Sequence, residues 1–172
     1  RVASWVNVRP IGSNADTNFS ENRDVRLDYY NSTVEGLLLK QYGFGIDFDP
    51  DYQRGYVWND TDKELLLDSV FKNIDIGKFV LIHLSDEEWH ERGLGYEILD
   101  GKQRLSTLIE FYENKLTYKG KYYNDLSRKD KRAFTEHQVA VAEVREMDKQ
   151  TVLKYFLMLN RTGKSMDESH LI

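Results

Sequence analysis

Tyr96-Glu97-Ile98-Leu99-Asp100-Gly101-Lys102-Gln103-Arg104-Leu105-Ser106-Thr107-Leu108 is the stretch on which the reading of this chain turns. Tyr96 to Leu99 is a short apolar run of buried-strand character, and Asp100-Gly101 is a turn dipeptide. From about Lys102 to Asn114, Leu105, Leu108, Ile109 and Tyr112 recur with helical spacing. A strand therefore delivers the chain to a glycine, where no Cβ obstructs a ligand, and a helix begins at once. The N–H groups and positive dipole end of that helix face whatever sits at the turn. Lys102 and Arg104 add charge, and an arginine can grip a phosphate through two parallel hydrogen bonds. Gln103 can orient a water, and Asp100 can hold Mg²⁺ or accept a proton. A plainer reading stays open beside this one: Asp100 as a helix N-cap, and Arg104 in a salt bridge with Glu97.

Outward from this turn, strand and helix signals interleave. Ser32 or Thr33 can cap a helix through Lys40, ended by Gly43 and Gly45. Ile46-Asp47-Phe48 alternates like a short strand and runs into the turn Asp49-Pro50. Thr61 and Glu64 match a capping box for a helix carrying Leu65, Leu66 and Val70. Lys78-Phe79-Val80-Leu81-Ile82-His83-Leu84 is the clearest strand, and the acidic run Asp86-Glu87-Glu88 after it reads as a solvated loop. A Tyr-rich stretch from Leu116 to Tyr123 resembles a hairpin, Ser127 to His137 a polar helix, and Val139-Ala140-Val141-Ala142-Glu143-Val144 a third strand. Asp148 can cap a last helix ending at Asn160 and Gly163. No strict βαβ rhythm emerges, so the expected class is α+β, a small mixed sheet with packed helices. Residues 1–30 mix Asn, Ser, Asp and Arg with little periodicity and read as an N-terminal extension or arm; 31–172 read as the folded domain.

The composition is consistent with one domain. A chain of 172 residues buries about 70% of its unfolded surface, enough for a core without staples. The absence of cysteine excludes disulfides, thiolate catalysis and Cys-ligated metal sites. No apolar run approaches a membrane span and no signal-peptide pattern opens the chain, so a cytoplasmic setting without a membrane partner is expected. The formal net charge of -5 weighs against a domain that grips duplex DNA mainly through its backbone. The four histidines show no metal-ligand spacing, and no Walker or Gly-x-Ser-x-Gly pattern occurs.

Three segments in order carry a family resemblance. Asp100-Gly101-Lys102-Gln103-Arg104 resembles the Asp-Gly-Gln-Gln-Arg motif of the domain-of-unknown-function 262 family, which is related to the ParB/sulfiredoxin-like fold. Pro50-Asp51-Tyr52-Gln53-Arg54-Gly55-Tyr56-Val57-Trp58 is similar to that family's first motif, and Phe156-Leu157-Met158-Leu159-Asn160-Arg161-Thr162-Gly163 to its final Phe-x-x-Leu-Asn-x-x-Gly motif. The resemblance spans about Ser32 to Leu171. It includes the N-terminal domains of modification-dependent anti-phage restriction enzymes, and it implies a ParB/sulfiredoxin-like domain that binds a nucleotide. One departure is Lys102, where the family usually has Gln; the extra charge aids a phosphate or marks altered hydrolysis.

On this reading Asp100, Gln103 and Arg104 are the catalytic candidates. Tyr52, Gln53, Arg54, Gly101, Lys102, Arg104 and Asn160 would contact the nucleotide, and Asp100 would hold the metal. The implied ligand is an NTP with Mg²⁺, bound by a sensor that controls a nuclease domain or subunit and is possible as an NTPase. The His-Asn-His nuclease signature is absent, so the chain is not expected to cut DNA by itself. For Tyr52, Tyr56 and Trp58, core packing under the Thr61 helix competes with a ligand role. The alternative function is a ParB-like DNA-binding or protein-interaction adaptor without catalysis, using a local patch such as Arg23, Arg26, Lys119 and Lys121.

Overall fold

The computed structural model describes residues 18–19, 26–48, 57–145 and 149–162. Of the residues named above, Arg23, Asp49, Pro50, Asp51, Tyr52, Gln53, Arg54, Gly55, Tyr56, Asp148 and Gly163 lie outside the described residues, as do the side chains of Phe156, Leu159, Asn160, Arg161 and Thr162.

Five strands form one mixed sheet in the order β1-β5-β3-β4-β2. The strands are β1 (Arg26–Thr33), β2 (Ile46–Asp47), β3 (Phe79–His83), β4 (Tyr96–Asp100) and β5 (Gln138–Arg145). β1 runs antiparallel to β5, β5 parallel to β3, β3 antiparallel to β4, and β4 parallel to β2. Phe79 to Ile82 of the central strand are all buried, which explains why that strand reads as an unbroken apolar run.

Helices cover the two faces unequally. α1 (Val34–Gly43), α2 (Asp60–Phe71), α4 (Lys102–Tyr112) and α5 (Arg128–Thr135) send Leu37, Leu67, Leu105, Leu108, Phe111 and Phe134 into one core with Phe79, Leu81, Ile98 and Val141 of the sheet. α6 (Lys149–Thr162) supplies Val152 and Tyr155 to the other face, against Val80, Ile82, Leu99, Ala142 and Val144. α3 (Asp86–Arg92) buries no residue. The outcome is the expected α+β class. Among the described residues, no helix is long and apolar enough to cross a membrane.

Three local expectations are corrected. α2 is capped not by Thr61 with Glu64 but by Asn59: its Oδ1 accepts from Asp62 N at 2.9 Å, and Asp62 Oδ2 accepts from Asn59 N at 3.1 Å. Trp58 is buried in the core, and that anchor makes the next residue the start of the helix. The acidic run at Asp86 is a helix, not a loop. Ser85 Oγ caps it, and Arg92 ties its end to Glu88, Asp47 and Glu97. Finally, β1 begins at Arg26, so residues 26–30 are part of the sheet rather than of an extension; Tyr30 pairs with Val141 and Tyr29 with Ala142. Thr33, the second of two possible caps, holds the start of α1 by accepting from Gly36 N at 3.1 Å.

Candidate functional site

β4 ends at Asp100, and Gly101 (φ +104°) turns the chain directly into α4. An L-residue rarely adopts that φ, and a Cβ here would lie 2.6 Å from Phe79 Cδ2. No side chain caps α4, and no acidic residue lies in its first turn. A helix start whose N-cap residue carries no side chain is a place that suits an anion. Lys102 stands at the first helical position, half-buried.

Arg104 points inward. It is 1% exposed, and its Nη1 donates to Ile76 O at 3.0 Å. Its Nη2 lies 3.5 Å from Asp100 Oδ1, and the guanidinium carbon sits 4.6 Å from the Phe79 ring centroid. Gly77 (φ +93°) leaves room for it, since a Cβ there would stand 2.8 Å from Arg104 Nη1. Among the described residues Arg104 pairs with Asp100, while the Glu97 carboxylate pairs with Arg92 at 3.1 Å. Arg104 offsets the charge of Asp100 and clamps the turn to the α2–β3 connection.

Gln103 is also committed to the scaffold. Its Oε1 accepts from Trp58 N at 3.1 Å, which fixes the backbone into which the first motif runs to the start of α4. Its backbone carbonyl accepts from Thr107 Oγ1 at 2.8 Å. Of the residues named from sequence, Asp100, Gly101, Lys102, Gln103 and Arg104 are therefore gathered at one turn. Within it, Asp100 is 9% exposed and Arg104 lies beneath.

Sheet register adds neighbours that the sequence did not single out. Tyr29, Ala142, Val80 and Asp100 form one cross-strand row over four strands, aided by an irregularity between Val80 and Leu81. Lys78 Nζ lies 5.6 Å from the Tyr29 ring centroid. Tyr155 of α6 has its pKa raised by burial first, then by the charges of Tyr29 and Asp100. The last helix, which carries the third motif, packs Tyr155 against the sheet face formed by Val80, Leu99 and Ala142. Its adjacency to Phe156 is the only sign of it in the sequence, because the row depends on long-range pairing.

A second polar cluster lies under α1. Glu143 of β5 is 4% exposed; it accepts from Tyr30 Oη at 2.5 Å and pairs with Lys40 Nζ at 3.0 Å. Arg145 Nη2 donates to its other oxygen at 3.2 Å, and Lys40 Nζ donates to Tyr96 Oη at 3.2 Å. Burial alone would raise the Glu143 pKa, but the bonds from Tyr30 and Lys40 outweigh it and hold the carboxyl below its ordinary value. Burial and the Glu143 bond push the Tyr30 phenol up to about 12. Every acceptor oxygen here is matched by a donor, so the cluster joins β1, β5, β4 and α1.

No curated protein and no solved structure matches the chain. Over residues 34–172 the sequence matches the family described as GmrSD restriction endonuclease, N-terminal domain. That stretch takes in the motif containing Tyr52 to Arg54, the Asp100 turn and the whole of α6, the same segments that carried the resemblance at the outset. The chain therefore belongs to the GmrSD restriction endonuclease N-terminal domain family, and is a domain of a phage-defence restriction system.

Proposed function

We propose that this domain binds a nucleoside triphosphate by its phosphates at the Asp100–Arg104 turn and serves as the sensing part of the restriction system. The observation that supports the reading is the entry into α4 through Gly101 at φ +104°, with Lys102 at the first helical position and no acidic residue in the first turn. Dipole and amides favour an anion there, and the Lys102 ammonium would add to them. Arg104 contributes from below: paired with Asp100, it offsets a carboxylate that would otherwise repel phosphate.

No group of three or more His, Asp or Glu side chains able to hold a metal occurs among the described residues. Mg²⁺ would therefore enter on the nucleotide's own phosphates, with Asp100 as a protein ligand and waters completing its shell. The Gln103 carbonyl is engaged by Trp58, so the donors of its NH₂ would serve a phosphate oxygen or a water if hydrolysis occurs. Gln53 and Arg54, with Tyr52, would add contacts from the first motif, and Asn160 from the last helix. Occupancy of the turn would be relayed to a nuclease domain or subunit acting on DNA.

Titration calorimetry with ATP and GTP in the presence of Mg²⁺ tests this. Saturable binding is expected, and Lys102→Glu should weaken it by about tenfold or more, the loss of a charge-assisted contact. An absence of binding heat with either nucleotide, or equal affinity in Lys102→Glu, would refute the reading.

A further inference from the structure

We infer that an exposed shelf on the α6 face of the sheet, floored by Ala140 and edged by Tyr29, Asn31 and Lys78, receives the base and ribose of the nucleotide. The inference rests on the phosphate reading of the Asp100–Arg104 turn and deepens it. Strand register builds the shelf. Asn31 pairs with Ala140 and Tyr29 with Ala142, while Phe79 pairs with Val141, which sets Lys78 beside Ala140. Directly opposed residues share a face of a sheet, and every second residue of a strand returns to it. Ala142 and Val80 belong to the core under α6, so Tyr29, Asn31 and Ala140 stand on that face too. Ala142 and Val80 are completely buried; one row on, Asn31, Ala140 and Lys78 are all exposed.

The shelf adjoins the turn. It lies at the end of the sheet where β3 begins and β4 finishes. Lys78 follows Gly77, against which the Arg104 guanidinium is packed. Three strand spacings, about 14 Å, separate Tyr29 from Asp100. An extended nucleoside triphosphate covers such a span from its terminal phosphate to its base. The side chains follow the order that this ligand needs. Lys78 places a cation between the turn and the far rim. Ala140 presents only a methyl group, so a flat group can lie close to the strand. Tyr29 is 63% exposed, and Lys78 Nζ stands 5.6 Å from its ring centroid, so cation and ring address the same space. A base stacks on such a ring whatever its identity. Asn31 brings both a donor and an acceptor for a ribose hydroxyl or a base edge.

Titration calorimetry of the chain with ATP and with inorganic tripolyphosphate, each with Mg²⁺, tests this. Both ligands should bind the parent chain. Tyr29→Ala should weaken ATP about tenfold or more and leave tripolyphosphate unchanged. Tyr29→Trp should keep the parent affinity for ATP. Ala140→Leu, which fills the floor without touching Tyr29, should weaken ATP alone as well. Both positions are exposed, so these variants keep the fold. Parent-like ATP binding in Tyr29→Ala, or equal loss of ATP and tripolyphosphate, overturns the inference and leaves the phosphate site standing. Failure of the parent chain to bind either ligand refutes the phosphate reading itself, and this inference with it.

Discussion

Replacing Gly101 by alanine attacks the turn through two effects that the structure separates. The first is conformational: at φ +104° an L-residue pays about 1–2 kcal/mol for the left-handed side of the map. The second is steric. The new methyl would sit 2.6 Å from Phe79 Cδ2 and 3.1 Å from Phe79 Cε2, where carbon atoms rest near ~3.5–4.0 Å. Phe79 is completely buried beneath the Arg104 guanidinium, so it cannot swing away without disturbing that clamp. Overpacking of this kind costs about 1–3 kcal/mol. Together the effects amount to about 2–5 kcal/mol, or a fall in melting temperature of roughly 5–15 °C for a domain of this size. Gly93 supplies the control: its φ is +70°, and a Cβ there meets nothing within 4 Å. Thermal and urea denaturation of Gly101→Ala and Gly93→Ala, side by side, should show the former less stable by the steric part alone. If the two variants lose the same stability, Phe79 is not packed against Gly101 as described and the geometry of the turn is wrong.

Other perturbations probe the same framework. Gln103→Ala should cost about 1 kcal/mol, the worth of an ordinary hydrogen bond, and should speed amide exchange at Trp58, whose N–H it leaves without that acceptor. Arg104→Met should be more harmful, about 3–5 kcal/mol by chemical denaturation, because it strips Asp100 and the Ile76 carbonyl of a buried cationic donor. The Glu143 cluster predicts a pH dependence. A carboxyl held below its ordinary value binds fewer protons in the folded state than in the unfolded one, so stability rises with pH between the two values. Its contribution is fully present above about pH 4.5, the ordinary glutamate value, and is lost as the pH falls through the folded-state value. Urea melts of Glu143→Gln between neutral and acidic pH should therefore show a shallower loss of stability than the parent chain.

What the sequence disclosed, and what it did not, follows from how local each signal is. β4, the turn and α4 are legible because every determinant lies within one contiguous segment: an apolar run, a glycine, and leucines at helical spacing. β1 is different. Half of its residues are exposed and none is fully buried, and it forms an edge strand only by pairing with β5, more than a hundred positions away. α3 has no apolar stripe because it buries nothing, so periodicity is silent and only Ser85 and Arg92 betray it. The capping of α2 was misassigned to Thr61/Glu64 because that pair fits the sequence pattern, whereas the bonds are made two residues earlier by Asn59 and Asp62, next to the buried Trp58.

The site divides along the same line. The grouping of Asp100, Gly101, Lys102, Gln103 and Arg104 could be read from their adjacency. The direction of each side chain could not. Arg104 looks like a phosphate ligand in sequence, yet it reaches Ile76 and Phe79, residues brought near by the β3–β4 pairing. Tyr29 falls in the row of Asp100 through register alone, and Lys78 reaches the Tyr29 ring from the residue before β3. Glu143 was visible as a lone charge in an apolar strand, but its partners Tyr30 and Lys40 come from other elements.

The most direct trial of the central claim is a crystal structure of the chain grown with a non-hydrolysable nucleoside triphosphate and Mg²⁺. The account predicts density for the phosphates against the backbone amides of Lys102, Gln103 and Arg104, with the Lys102 ammonium turned toward them and Arg104 still stacked on Phe79. Phosphates seated elsewhere, with the start of α4 bare at saturating nucleotide, would contradict it.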